Sequence, residues 1–145
     1  MAQSPPEGVP HVAPYLLYED AGAALDYLVR VFGFTETVRM PGPDGPVTHA
    51  EIRMGPGMVM LGHPGGDYQA PATIGANTTQ LTYVYVDDVD AHYDRAKAAG
   101  ATITREIADQ FYGDRTYSAV DPEGHAWHFA THVRDVPAEE MREHM

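Results

Sequence analysis

Three of the chain's eight histidines fall inside Asp121-Pro122-Glu123-Gly124-His125-Ala126-Trp127-His128-Phe129-Ala130-Thr131-His132. Imidazoles can ligate a metal, move a proton or hydrogen-bond a ligand, and here spacing separates the options. Asp121 to Gly124 reads as a tight turn, with Pro122 presetting φ and Gly124 free to take a positive one. A strand follows, so Ala126, His128, Ala130 and His132 share one face and Trp127, Phe129 and Thr131 the other. His125 and His128 are three apart and face opposite ways. His128 and His132 share a face but lie ~13 Å apart by strand rise, too far for two ligands each ~2 Å from one ion. The bulky apolar pair belongs under a helix layer. That leaves His128, between two alanines, as the polar group of the other face, fit to hydrogen-bond a ligand or a structural neighbour.

Tyr15, Tyr83 and Tyr85, with Tyr117 opposite, would line a pocket with aromatic walls and polar tips, suited to flat or heterocyclic ligands. Glu106, Asp109 and Asp114 flank Phe111-Tyr112, with Arg115 beside them as a further ligand-binding candidate. Paired carboxylates there could do acid–base work, but a solvated loop is the expected reading. There is no Gly-x-Ser-x-Gly elbow, His-Glu-x-x-His pair, phosphate-cradling loop or dinucleotide fingerprint.

Composition narrows the classes. The 145 residues, 43% hydrophobic, can bury a real core. Cysteine is absent, which excludes disulfides, thiolate metal sites and cysteine nucleophiles. A net charge of −12, from 21 acidic and 9 basic side chains, speaks against a nucleic-acid partner. It would concentrate a cationic small molecule, though it also simply keeps a surface soluble. No apolar run approaches the about 20 residues of a membrane span, and no secretory leader is seen. A cytoplasmic protein with no membrane partner is expected.

The elements that must position these groups occur twice. Val12 to Tyr18 reads as a strand, and Asp20 caps a helix with Ala21, Ala24, Leu25, Leu28 and Phe32 at helical spacing, closed by Gly33. Strands follow at Phe34–Met40, Val47–Met54 and Met58–His63, with a turn across Pro41–Pro46. The order then recurs: strand Thr79–Val86, a helix capped by Asp87 or Asp88 and closed by Gly100, then strands at Thr102–Ile107, Arg115–Val120 and His125–His132. An offset of 68 lays Tyr15 on Tyr83, Asp20 on Asp88 and Asp26 on Asp94. The repeat is a βαβββ module, at 11–64 and 78–133, with a linker at 65–77 and a tail at 134–145. Neither module can bury its sheet alone, so an α+β fold is expected: one curved, incomplete eight-stranded, barrel-like sheet with helices outside. Pro137 followed by Glu139 and Glu140 marks a short helix in the tail.

The doubled module, the Asp-Asp-Val-Asp helix opening and the Asp-Pro-x-Gly turn resemble the vicinal-oxygen-chelate superfamily of glyoxalase I, extradiol dioxygenases and bleomycin-resistance proteins. Tyr-Gly-Asp-Arg at 112–115 and the closing Asp121–His132 stretch resemble its PhnB-like branch. The resemblance implies a homodimer and places the four metal ligands of its catalytic members at Ala13, Met60, Leu81 and His128. Alanine and leucine offer no donor, and a thioether is a soft ligand suited to copper(I). A catalytic zinc wants three protein ligands. His11, which shares the face of Ala13, is the residue to join His128 if a divalent metal binds at all, with His63 a further candidate.

The expectation is a metal-independent binding protein without cofactor. Its small-molecule ligand, cationic if the charge is a guide, meets His128, Tyr15, Met60, Leu81, Tyr83, Tyr85, Arg115 and Tyr117. The alternatives are a glyoxalase-, isomerase- or dioxygenase-like enzyme with unorthodox ligands, and a dimeric scaffold with a vestigial pocket.

Overall fold

Asp20 and Asp88 each accept a hydrogen bond from the N–H three residues on, at 3.0 Å from Ala23 and 3.1 Å from Ala91, and so start a helix. In the computed structural model, which describes residues 2–41, 45–63, 69–75 and 78–145, these helices occupy the same place in two successive runs of elements. The first run is β1 (Tyr15–Leu17), α1 (Ala21–Phe32), β2 (Thr35–Pro41), β3 (Val47–Met54) and β4 (Gly57–Gly62), then a helical turn, α2 (Pro71–Ile74). The second is β5 (Leu81–Tyr85), α3 (Val89–Ala98), β6 (Thr102–Asp109), β7 (Asp114–Val120) and β8 (Ala126–His132), then α4 (Ala138–Glu143).

The strands form two four-stranded sheets of matching order, β1-β4-β3-β2 and β5-β8-β7-β6, in an α+β fold. In each sheet the first strand runs parallel to the last, and the remaining neighbours are antiparallel. The repeat holds in register: Tyr15 pairs with Met60 and Tyr83 with His128, both members offset by 68. β1 is shorter than the expected Val12–Tyr18. Pro14 has no N–H to give a ladder, and only its carbonyl is used, by the Met60 N–H at 2.9 Å. The turn across Pro41–Pro46 and the linker 65–77 fall partly outside the described residues. Among the described residues, no helix is long and apolar enough to cross a membrane.

Packing divides the chain into one unit of Met1–Thr78 with Pro122–His125 and another of Thr79–Asp121 with Ala126–Met145. In the first, α1 buries Leu25, Leu28, Val31 and Phe32 over its sheet, whose Ala50, Ile52 and Leu61 are equally buried. The turn residues Pro122–His125 belong to this unit. The Glu123 carboxylate accepts from the Glu19 N–H at 2.6 Å and the Asp20 N–H at 3.0 Å, just ahead of α1. The His125 ring lies against Tyr18, and its Nε2 donates to the Leu17 carbonyl at 2.8 Å.

In the second unit α3 packs on β6, β7 and β8, over wholly buried Tyr117, Trp127 and Phe129. Trp127 Nε1 donates to the buried Asp121 at 3.0 Å. The tail is pinned at Gly113, whose carbonyl accepts from Val133 and Arg134 at 2.9 and 3.2 Å. Glycine is needed there: φ is +102°, and a Cβ would collide with the Arg134 carbonyl oxygen. The expected tail helix is α4, and beside its end His144 stacks on Phe111 at 5.6 Å.

Candidate functional site

In the second unit, strand register sets one row of side chains across the sheet on the face away from α3. Tyr83 on β5 pairs with His128 on β8, His128 with Ser118 on β7, and Ser118 with Arg105 on β6. The Tyr83 and His128 rings are 4.8 Å apart, and Ser118 Oγ is 2.5 Å from His128 Nδ1. Burial, aided by the charge of Arg105, holds the His128 pKa below its ordinary value, so this imidazole is neutral at pH 7. Its Nε2 makes no hydrogen bond among the described residues.

Farther along the same face lies Asp114, only 3% exposed. Its Oδ2 accepts from Tyr83 at 2.6 Å and Tyr85 at 2.9 Å, and its Oδ1 from His132 Nδ1 at 2.7 Å. His132 Nε2 meets Asp135 at 2.7 Å. An ionised carboxylate only accepts, so an imidazole between two of them donates from both nitrogens and is the cation. Asp135 first, then Asp114, raise the His132 pKa accordingly. Burial and then the Asp114 bond push Tyr83 well above the usual phenol range; for Tyr85 the Asp114 bond leads and burial follows. Both phenols therefore stay protonated and fixed.

The first unit carries a second polar chain on the corresponding face. Tyr15 Oη is 3.0 Å from His49 Nδ1, and His49 Nε2 is 2.9 Å from Glu51. With Glu51 accepting, Nε2 carries a hydrogen toward it, and the Tyr15 hydroxyl meets the other ring nitrogen. Glu51 pairs with Met60, the repeat mate of His128. Gly62 makes room for the phenol, since a Cβ there would come within 2.5 Å of the Tyr15 ring.

The structure thus places Leu81, Tyr83, Tyr85 and His128 on one face of the second sheet, and Tyr15 and Met60 on the matching face of the first. Arg115 and Tyr117 do not join them. They have the opposite parity on β7, because Ser118 and not Tyr117 pairs with His128. Tyr117 is wholly buried toward α3, 2.6 Å from His92 Nδ1, and Arg115 pairs with Asp90 and Asp109. Asp114 is likewise no solvated loop acid but the buried acceptor of the site. Sequence reasoning missed Arg105, Ser118, His49 and Glu51, whose positions follow only from cross-strand register.

The donor set does not fit a resident metal. Of Ala13, Met60, Leu81 and His128, only the last offers a ligand to a divalent ion. Among the described residues, no group of three or more His, Asp or Glu side chains is placed to hold an ion.

The paired modules and this face define the class: the chain belongs to the Glyoxalase/Bleomycin resistance protein/Dioxygenase superfamily, whose family profile matches residues 8–129. It is 37% identical over 138 residues to Mb0911c of Mycobacterium bovis, covering 92% of this chain and 90% of that one. TioX from Micromonospora sp. ML1 is 38% identical, with a TM-score of 0.70 over 88% of this chain and 100% of that one. FosX of Listeria monocytogenes, a fosfomycin resistance protein, shares the fold at 15% identity, with a TM-score of 0.62 over 91% of this chain and 97% of its own.

Proposed function

We propose that the chain is a metal-independent binding protein for a small organic molecule with a flat, aromatic or heterocyclic part. The observation that carries this is the Leu81–Tyr83–Tyr85 strip, 53%, 39% and 58% exposed although its phenols are anchored on a buried carboxylate. Exposed apolar side chains grouped on one face mark a binding surface, and rings already fixed lose little freedom when a ligand covers them. A cationic group on the ligand is favoured by the net charge of −12 and by the faces of the tyrosines.

Thermal-shift and calorimetric screening of cationic heterocyclic antibiotics and metabolites tests the proposal. Stabilisation by at least one compound is expected, weakened about tenfold or more in Tyr83→Ala, as base- or ring-stacking losses of 1–3 kcal/mol imply. Failure of every compound, or binding unchanged in Tyr83→Ala, would defeat it. The metal-independent part is checked separately: zinc, nickel and iron should neither raise the melting temperature nor strengthen ligand binding. The homodimer belongs to the same proposal, and sedimentation equilibrium at twice the 15.8 kDa chain mass is its check.

A further inference from the structure

From the row Arg105–Ser118–His128–Tyr83 we infer that the ligand carries an anionic oxygen group, a carboxylate or a phosphate-like oxygen, that docks on Arg105 beside its ring. This rests on the binding reading above and adds the polarity of the ligand. Four of the chain's eight arginines have acidic or carbonyl partners: Arg39 with Asp26 and Glu36, Arg53 with the Gly8 carbonyl, Arg115 with Asp90 and Asp109, Arg134 with Glu140. The Arg105 guanidinium makes no ion pair or hydrogen bond among the described residues. What distinguishes Arg105 is its place: its charge already acts on His128, across the sheet from the Tyr83 ring. It stands in register with Ser118, on the face that presents the open His128 Nε2 and the Tyr83 ring.

The chemistry of the row is consistent. A guanidinium offers a planar fork of donors matched to a carboxylate or phosphate. The Ser118 hydroxyl can donate to Nδ1 or accept from it, which lets Nε2 take either tautomer, and as N–H it is a second donor toward the same oxygen group. The opposite end of the face is acidic, with Asp114 and Asp135 holding one imidazolium between them. The face is therefore graded from positive at Arg105 to negative at Asp135, and a ligand with an acidic and a basic group on one flat frame matches that gradient.

Three single-ring probes of similar size test this: benzoate, benzyl alcohol and benzylamine, titrated while the imidazole resonances of His128 and the ring resonances of Tyr83 are followed by NMR. Benzoate should bind about tenfold more tightly than benzyl alcohol, the effect of one charge-assisted contact near 1.5 kcal/mol. That preference should vanish in Arg105→Ala and survive in part in Arg105→Lys. Binding of all three probes with equal strength, or a benzoate preference untouched by Arg105→Ala, overturns the anionic docking and leaves the aromatic binding reading standing. Silence of both residues toward all three probes overturns both. Arg105 is exposed, so thermal melting of its variants should match the parent.

Discussion

Asp114→Ala is expected to lose about 2–4 kcal/mol of folding stability, with a matching fall in the urea midpoint, because two phenols and an imidazolium lose one buried acceptor at a stroke. Asp114→Asn keeps an acceptor oxygen and should lose less. The same network sets a pH dependence with two signs. Burial raises the proton affinity of Asp114, but its bonds from Tyr83, His132 and Tyr85 together outweigh burial and hold it below the ordinary carboxylate value. Its contribution is therefore present above the unfolded value of about 3.9 and is lost as pH falls through the lower folded one. The His132 pKa is raised, by Asp135 and then Asp114. Its contribution is complete below the unfolded value of about 6.5 and is lost as pH rises through the folded value. His128, held neutral by burial and Arg105, contributes the reverse slope as pH falls below about 6.5. The alkaline limb of His132 is thus read as the difference between parent and His132→Ala melts. A difference that does not shrink between pH 6 and pH 9 would defeat the assignment.

The second large effect is in the core. Trp127 is wholly buried, lies parallel to the Phe129 ring at 6.2 Å and donates to Asp121. Trp127→Ala is expected to cost about 3–5 kcal/mol, the usual result of emptying an aromatic site. Trp127→Phe should cost less and report the loss of the Nε1 bond, about 1–3 kcal/mol. Equilibrium unfolding of the three proteins orders them. A phenylalanine variant as unstable as the alanine one would place the effect in the hydrogen bond instead of the ring volume.

Much of the fold was legible because it is written in local chemistry. The caps at Asp20 and Asp88 and the left-handed glycines Gly33 and Gly100 bracket both helices. Strand alternation put His128 on the face of Tyr83 and Tyr85 and sent Trp127 and Phe129 inward. Register was not legible. β7 and β8 are joined by residues 121–125, and a connection of that length does not by itself say whether Ser118 or Tyr117 meets His128. One residue of slip exchanges the faces of a strand, which is why Arg115 and Tyr117 looked like ligand contacts and Ser118 did not. His49 and Glu51 were invisible for a related reason: Tyr15 reaches them only across β4, which pairs with both β1 and β3.

Glu123 carries a consequence for how the first copy has come to depend on the second. The carboxylate that steadies the entrance to α1 is translated after most of the second sheet. A ribosome that has released β1 to β4 has not yet supplied that group, nor the imidazole that takes the Leu17 carbonyl. Splitting the gene between the copies would hand both partners of those bonds to water. The loan runs one way: the later module lends a loop that the earlier one needs at the start of its helix.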